Sequence, residues 1–423
     1  MNKVACYPRE YTPDRFDDDT WYFEMFSTPN VSLDNVGYVG VRILDELRRS
    51  QICPSTLVFD FLMIAYAVVA ADKAVLRRSS SDGWTRVIDL SLYVHEQKKW
   101  ENYQDKIQDM LRFLTGDFWS LHFNKLNNSI VPKRKFALYD NDCICLLSGG
   151  MDSLVGAIDL HESGHNPLFV SQIVRGDAEH QREYAAAVGE DNLCQWSCNV
   201  KKNGSSENST RSRSIVFFAY ALLAACGIKK NTDGRKVIYV PENGFISLNI
   251  PLDAMRIGSL STKTTHPIYM KKLQEIWNAV GIEVELVLPY RFMTKGEMLA
   301  QCRNQKLMKE LIFGSTSCGK YQRHGLRHCG TCVPCLVRRA SFIKAGLMDD
   351  TEGGYCAENL KNRDSRDLSA AAMACVQVEK YGIESLVKGA LSFAKGEERE
   401  KYLLVVQNGV EEIRRLLELQ EIL

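Results

Sequence analysis

The first residues whose types and spacing suit chemistry lie in a short segment, residues 146–153, which reads Leu-Leu-Ser-Gly-Gly-Met-Asp-Ser. An apolar run precedes it and a helical pattern follows it, so the turn joins a predicted strand to a predicted helix. Two adjacent glycines permit a tight turn in which backbone N–H groups converge, and serine hydroxyls add donors beside the helix N-terminus. These features predict a cradle for a pyrophosphate, and a plain glycine turn with a capping serine is the alternative.

The aspartate within this turn has a separate expected role. Asp152 would repel a bare phosphate, so we expect it to hold a Mg²⁺ ion that bridges the phosphates. The neighbouring residues are expected to contact the phosphates themselves. The predicted nucleotide-binding residues of the turn, which we call the phosphate loop, are Ser148, Gly149, Gly150, Met151, Asp152 and Ser153.

A second segment carries four cysteines whose spacing suits a metal ion. Cys329, Cys332 and Cys335 are separated by two residues each, and Cys318 lies upstream of them. Four thiolates close a tetrahedral cage, which is the geometry of a structural zinc site and leaves no position for catalysis. An iron–sulfur cluster accepts the same ligands and stays the alternative.

The segments around the phosphate loop indicate parallel βαβ units. Buried strands are predicted at residues 143–147, 168–173, 237–240 and 282–286, and helices at 153–162, 180–188, 214–225 and 268–279. Such alternation is typical of an α/β fold, a parallel sheet with helices on both faces. Ligands bind such sheets at the carboxyl ends of the strands, near the point where the strand order reverses.

Changes of pattern along the chain predict three domains. Residues 1–135 combine an alternating strand pattern at 88–94 with helical stretches, and we expect an N-terminal α+β module. Residues 136–350 form the α/β domain that carries both motifs. Residues 351–423 are predicted to be a helical C-terminal region, because its apolar residues recur at helical spacing. Those residues are Val406, Val410, Ile413 and Leu417.

Composition narrows the classes of protein. The 53 basic and 52 acidic residues give a net charge of +1, so no nucleic-acid partner is indicated. The first residues lack an apolar signal core, so the 14 cysteines are expected to be reduced thiols of a cytoplasmic protein. The apolar runs 61–71 and 215–228 are shorter than the ~20 residues of a membrane span, and we predict buried helices there.

The two motifs together resemble a known family. Ser-Gly-Gly-x-Asp-Ser after a first strand is the signature of the PP-loop ATP pyrophosphatases, which have a HUP/Rossmann-like fold. With His-Cys-Gly-x-Cys-x-x-Cys and Arg-Arg-x-x-Phe, residues 143–346 resemble 7-cyano-7-deazaguanine synthases, often called QueC. The resemblance implies that ATP adenylates the carboxylate of 7-carboxy-7-deazaguanine, which an amine then attacks. It also implies Mg²⁺ at the phosphate loop and Zn²⁺ on the four cysteines.

Three features depart from the compact synthase. The N-terminal module and the helical tail are additional, and a Tyr-Pro-Asp-Cys-Arg segment is replaced by Ser-Leu-Ser-Thr-Lys-Thr-Thr-His-Pro at residues 259–267. These features resemble the QueC-like proteins of bacterial anti-phage operons, the QatC group of the Qat system and its relatives in type IV CBASS. That resemblance implies transfer of the deazaguanine acyl group to a protein amine, the N-terminus of a partner from the same operon.

Four residues are predicted to be catalytic. Lys295 follows the predicted strand at residues 282–286, where PP-loop enzymes often carry a phosphate-directed lysine. Arg211 and Arg213 precede an apolar helix and are expected to bind nucleotide or orient substrate, with plain solvation as the alternative. His266 either moves a proton from the attacking amine or braces a turn. The predicted catalytic set is Asp152, Lys295, Arg213 and His266, and the nucleotide-binding set also includes Arg211 and Lys295.

Weaker candidates surround this set. His180 stands where the synthase has a histidine, and surface use is the alternative. Lys263 and Arg256 are expected to add charge in the same loop as His266. Glu242 and Asn243 follow the predicted strand at residues 237–240 and are candidates to hydrogen-bond the guanine-like base.

The function that these features favour is an ATP-dependent amide-forming ligase. A free 7-cyano-7-deazaguanine synthase that uses ammonia is the nearest alternative. A tRNA-thiolating enzyme predicts iron and a basic surface, and a zinc scaffold that binds nucleotide without turnover is the non-enzymatic alternative. We expect the N-terminal module to dock a protein partner.

Overall fold

The computed structural model describes residues 2–128, 130–131, 138–189, 192–229, 234–252, 263–361 and 364–423. The strands are β1 (Asn2–Pro8), β2 (Thr20–Met25), β3 (Val36–Val39), β4 (Val87–Val94), β5 (Phe118–Lys125), β6 (Cys143–Leu146), β7 (Pro167–Gln172), β8 (Leu193–Trp196), β9 (Val200–Lys201), β10 (Lys236–Tyr239) and β11 (Val284–Val287).

The helices of the N-terminal half are α1 (Ile43–Arg49), α2 (Thr56–Ala74), α3 (Gln97–Glu101), α4 (Gln104–Thr115), α5 (Met151–Glu162), α6 (Ala178–Val188) and α7 (Arg213–Cys226). Those that follow are α8 (Gly244–Leu248), α9 (Pro267–Val280), α10 (Lys295–Gln301), α11 (Gln305–Leu311), α12 (Val333–Lys344), α13 (Arg366–Tyr381), α14 (Glu384–Val387) and α15 (Gly396–Leu419). No described helix is long and apolar enough to cross a membrane.

The predicted α/β fold is confirmed. One sheet has the order β11-β10-β6-β7-β8, and all its neighbouring strands are parallel. Helices cover both faces because alternate residues of β6 are apolar on both sides: Ile144 packs in the same core as α7 and α9, and Cys145 in the same core as α5. The strand order reverses between β6 and β10, so the loops after these two strands meet at the ligand-binding edge.

A second sheet occupies the N-terminal part of the chain, with the order β5-β4-β1-β2-β3-β9. Strands β1 to β5 are parallel, and only the short β9 pairs antiparallel, with β3. The alternating pattern at 88–94 correctly predicted β4, whose inward residues are buried. Sequence analysis did not predict β1, β2, β3, β5, β8 or β9.

One continuous apolar core joins the two sheets. Helix α2 begins at the cap Ser55 and is buried along almost its whole length, as predicted for its apolar run. The hydroxyls of Tyr66 in α2 and Tyr220 in α7 lie 2.9 Å apart, and the rings of Phe61 and Trp277 meet edge to face. The N-terminal part of the chain therefore packs directly against the helices of the β11-β10-β6-β7-β8 sheet. Residues 132–137, around the predicted domain boundary, lie outside the described residues.

The C-terminal region is helical, as predicted. Val406, Val410, Ile413 and Leu417 are all buried along α15, in a core shared with α8, α12 and α13. Glu412 of the same helix accepts a hydrogen bond from Thr294, the residue that caps α10. Helix α15 thus braces the start of α10, where Lys295 stands.

Candidate active site and metal site

The phosphate loop leaves β6 and enters α5, as its sequence predicted. Gly149 has φ +90°, a conformation that favours glycine, and a Cβ there would approach within 3.2 Å of Asp177. The Ser148 hydroxyl accepts the Gly150 N–H at 3.3 Å and contacts the Ser153 hydroxyl at 3.1 Å. Ser148 is exposed. The loop is therefore shaped from within, open to solvent and placed at the N-terminus of a twelve-residue helix.

Asp152 is the centre of a nearly buried charged group. Its Oδ2 accepts hydrogen bonds from the backbone and side-chain nitrogens of Asn243, at 3.0 and 2.7 Å. Its Oδ1 accepts a hydrogen bond from the Lys295 ammonium, and the side chains of Asp152 and Lys295 are 11% and 9% exposed. The loops after β6 and β10 and the start of α10 therefore converge on one carboxylate.

Glu242 adds a second carboxylate at the same point. It accepts a hydrogen bond of 2.6 Å from Thr265, and burial together with the charge of Asp152 raises its pKa to about 7. Lys295 opposes this rise. The side chain of Asn243 beside it is held at both ends, because its amide oxygen accepts the Ile246 N–H while its amide nitrogen donates to Asp152. Two carboxylates thus share one lysine, a surplus of negative charge that suits a divalent cation.

Asp177 lies against the other side of the phosphate loop, and Arg213 is within electrostatic range of Asp177. Burial raises the pKa of Asp177, although the Thr316 hydroxyl, His180 and the exposed Arg213 oppose this effect. Oδ1 of Asp177 has no hydrogen-bond partner in the described part of the chain. Arg213, at the start of α7, is thus within electrostatic range of an acidic group that touches the phosphate loop.

Two other predicted residues lie in different surroundings. The Nδ1 atom of His266 accepts the Ile268 N–H at the start of α9, and burial followed by Lys263 lowers the pKa of His266 to about 4. His180 stacks on Tyr184 and contacts Glu183 at 3.4 Å. His266 is therefore neutral near pH 7 and bound to its own turn. Arg256 lies outside the described residues.

Arg211 makes its contacts with the N-terminal part of the chain. Its backbone N–H donates to Asp72 of α2 at 2.8 Å, and its guanidinium lies over the Trp84 ring. Both partners come from the N-terminal part of the chain. The structure therefore brings Asp152 and Lys295 together, with Arg213 near the loop, and places Arg211 where the two sheets meet.

The four cysteines form a closed cluster. Their sulfur atoms all lie within 4.8 Å of one another, with 3.9 Å between Cys318 and Cys332 and between Cys329 and Cys335. A tetrahedral zinc ion with bonds of about 2.3 Å requires sulfur atoms about 3.8 Å apart. Backbone N–H groups point at two of the sulfur atoms. The set fits zinc and would hold it entirely within protein.

The metal site is joined to the phosphate loop by one short segment. Thr316, two residues before Cys318, donates its N–H to the carbonyl of Gly149 at 3.0 Å. Arg338 of α12 is fully buried and donates to Ser315 through two bonds of 2.8 Å. A filled cysteine site would thereby hold the phosphate loop from one side.

Several of these contacts were missed by the sequence analysis. Asn243 was assigned to the substrate base, but its amide groups hold Asp152 and cap α8. Asp177 and Thr316 were not singled out. Their only signal is position, since Asp177 follows the strand next to β6 and Thr316 precedes the first cysteine.

Together these features define a class: an α/β protein with a glycine loop at the strand-order reversal, a carboxylate–lysine pair beside it and a tetracysteine site behind it. Comparison with known protein sequences identifies more specific relatives. The chain is 25% identical over 236 residues to a 7-cyano-7-deazaguanine synthase of Methanococcus maripaludis, covering 49% of this chain and 97% of that protein.

Two further relatives agree with this. They are a 7-cyano-7-deazaguanine synthase 1 of Sphingopyxis alaskensis, 25% identical over 233 residues, and a 7-cyano-7-deazaguanine synthase of Methanothrix thermoacetophila, 24% identical over 225. Each match covers 49% of this chain and at least 96% of the relative. No protein-family model matches the chain, and no solved structure gives a significant match. The similarity to QueC-type synthases is thus supported for about half of the chain.

Proposed function

We propose that this protein is an ATP-dependent ligase that activates a 7-deazaguanine carboxylate and transfers its acyl group to an amine. The observation that carries the proposal is the convergence of Asp152, Lys295 and Glu242 at the edge of the sheet beside the phosphate loop. The similarity to proteins named 7-cyano-7-deazaguanine synthase supports the choice of substrate. Zn²⁺ on the four cysteines would stabilise the fold and contribute no reaction step.

The first half of the reaction is adenylation. A carboxylate oxygen attacks the α-phosphorus of ATP, the bond to the pyrophosphate breaks, and an acyl adenylate forms. Negative charge grows on the leaving pyrophosphate, and the phosphate loop N–H groups and the Lys295 ammonium would stabilise it. Asp152 and Glu242 would hold Mg²⁺ on the phosphates.

The second half forms the amide. An amine nitrogen attacks the acyl carbon, AMP leaves, and the nitrogen gives up a proton. His266 is a poor proton acceptor near pH 7, because burial lowers its pKa to about 4. Catalysis by proton transfer is most effective when the pKa of the group lies near the working pH.

The acceptor is inferred from the part of the chain that the relatives do not share. About half of this chain lies outside the matched region. The motifs that resemble the synthases lie within residues 143–346, so we take the N-terminal sheet and the C-terminal helices to be the additional part. Ammonia needs no docking surface, whereas a polypeptide acceptor must be held with its terminus near the adenylate. We therefore propose a protein N-terminus as the acceptor, in an anti-phage operon, with the N-terminal residues 1–135 as its docking unit.

The test combines purified protein, ATP and 7-carboxy-7-deazaguanine with either ammonium or candidate partner proteins. Intact masses of the partners and chromatography of small molecules report the product. A covalent mass increase on one partner, absent with the Asp152→Ala variant, is expected. Accumulation of free 7-cyano-7-deazaguanine with ammonium alone would establish the synthase activity instead. The exposed Glu162→Gln change at the far end of α5 is the matched control.

A further inference from the structure

The guanidinium of Arg211 is buried but only partly bonded. The residue is 7% exposed, and its Nη1 donates to the carbonyl of Thr115 at 3.3 Å. The guanidinium carbon lies 4.7 Å from the centroid of the Trp84 ring. Its Nε and Nη2 atoms have no hydrogen-bond partner among the described residues. These two N–H groups share one edge of the guanidinium.

This free edge has the geometry that binds an oxyanion. An arginine grips a carboxylate or phosphate with two parallel N–H bonds, and such charge-assisted pairs are the strong ones. The two nearest carboxylates are committed elsewhere, because Asp72 and Asp117 pair with Arg77 and Arg86. A buried charged donor without a partner is costly. A bound oxyanion would remove that cost.

Lys263 supplies a second cation within electrostatic range of Arg211. Its ammonium lies over the Phe113 ring, 4.2 Å from the centroid. Burial and then the charge of Arg211 lower the pKa of Lys263, so the two cations lie within electrostatic range of each other. Aromatic rings flank this pair on several sides: Trp84 under Arg211, Phe113 under Lys263, and His266 against Phe113 at 5.1 Å.

The cation pair adjoins the candidate active site. Lys263 and His266 lie on either side of Thr265, which donates to Glu242. Glu242 in turn is within electrostatic range of Asp152 and Lys295. A ligand on the cations would therefore sit next to the carboxylates and not in a separate cavity.

We propose that Arg211 and Lys263 form an oxyanion subsite that binds the carboxylate of a flat aromatic substrate, with Trp84 and Phe113 flanking it. The inference rests on the proposed function, which names a heteroaromatic carboxylate as substrate. ATP is the other source of an oxyanion, and the phosphate loop already offers donors for its phosphates. The N-terminal part of the chain, which supplies both rings, then forms one wall of the active site.

The experiment measures KM for the carboxylate and for ATP in pyrophosphate release, with equilibrium binding of each by calorimetry. Loss of a charge-assisted bidentate pair should raise KM for the carboxylate by about 10- to 100-fold in Arg211→Met, with KM for ATP unchanged. Arg211→Lys keeps a charge but loses the fork, so we expect an intermediate value. Lys263→Met should show a smaller effect in the same direction. Lys202→Met, another lysine over an aromatic ring, is the matched control.

Binding of indole-3-carboxylate, a flat carboxylate unrelated to the proposed substrate, separates this inference from the proposed function. If wild-type protein binds it and Arg211→Met does not, the subsite stands even when the deazaguanine is no substrate. Equal binding of the deazaguanine carboxylate by folded wild-type and variant proteins overturns the subsite alone, as does a loss confined to ATP. Failure of wild-type protein to bind either carboxylate overturns both. If Arg211→Met does not fold, Lys263→Met decides by the same readouts.

Discussion

Two buried groups of charged residues in this molecule are built in opposite ways. The ion cluster of the N-terminal part consists of Asp72, Arg77, Arg86 and Asp117, none more than 4% exposed. Both oxygens of Asp117 accept from the two arginines. Although burial alone would raise it, the bonds from Arg86 lower the pKa of Asp117. Two acids face two bases, and the charges balance.

The active-site group has no such balance. Asp152 and Glu242 face one lysine, and the pKa of Glu242 stays raised, to about 7, because burial and Asp152 outweigh Lys295. The Arg211–Lys263 pair has the reverse surplus: among the described residues, neither side chain forms an ion pair with a carboxylate. We infer from this difference that a buried cluster with balanced charges stabilises the fold, whereas a surplus of one sign favours binding of a ligand with the opposite charge.

The largest effect should come from the metal site, because the negative charge of four thiolates is offset only when a cation is bound. In Cys332→Ser we expect loss of the bound zinc and of the folded α/β domain, because structural zinc can contribute about 10 kcal/mol or more to folding. Metal content by elemental analysis and melting by circular dichroism check this. Cys356→Ser changes an exposed cysteine and is the control. A folded Cys332→Ser protein without metal would contradict the role.

The second effect tests the surplus of negative charge. Asp152→Ala should lower carboxylate-dependent pyrophosphate release by about four orders of magnitude, or about 5.5 kcal/mol of activation free energy, with the melting temperature nearly kept. The carboxylate removed is the proposed Mg²⁺ ligand, and its loss leaves the apolar core intact. Activity at the wild-type rate would rule out this role for Asp152.

For the balanced ion cluster of the N-terminal part, substitution should lower stability and leave ATP binding unchanged. Arg86→Met leaves Asp72 and Asp117 buried with one arginine, so unfolding free energy should fall by about 3–5 kcal/mol. The remaining folded protein should keep its KM for ATP, because the cluster touches no proposed ligand. Denaturant titration measures the first quantity and steady-state kinetics the second. A variant as stable as the wild type would show that the cluster is not what holds this region.

The smallest effect concerns pH. The pKa of Glu242 and that of Glu412 are each raised to about 7, in both cases chiefly by burial. Since the folded protein holds these protons above the pH at which the unfolded chain releases them, stability should fall as the pH rises from about 4.5 through 7.

The two variants that remove these groups sharpen this expectation. Glu242→Gln and Glu412→Gln should each flatten the fall by about 1–2 kcal/mol, and the double variant should flatten it further. Urea unfolding at pH 5 and pH 8 measures this. A pH profile that both variants leave unchanged would refute the shifted pKa values.

The sequence predicted what is local and missed what is distant. The phosphate loop, the four cysteines and strands β6, β7, β10 and β11 follow from patterns within about ten residues. The bond from Asn243 to Asp152 spans 91 residues, and that from Arg211 to Asp72 spans 139. No periodicity encodes such pairs, so the sequence revealed neither the bond from Asn243 to Asp152 nor the contact of Arg211 with α2. Strand β9 was missed because it is only two residues long. Strand β8 was missed because Gln195 interrupts its apolar residues, so the sequence shows no continuous apolar run there.

The products formed from ATP test the proposed activation of the carboxylate most directly. With 7-carboxy-7-deazaguanine present, the wild-type protein should convert ATP to AMP and pyrophosphate, and omission of the carboxylate or the Asp152→Ala change should abolish both. Chromatography of the nucleotides together with a pyrophosphate assay reads this out. Formation of ADP and phosphate, or of AMP at a rate independent of the carboxylate, would contradict the account.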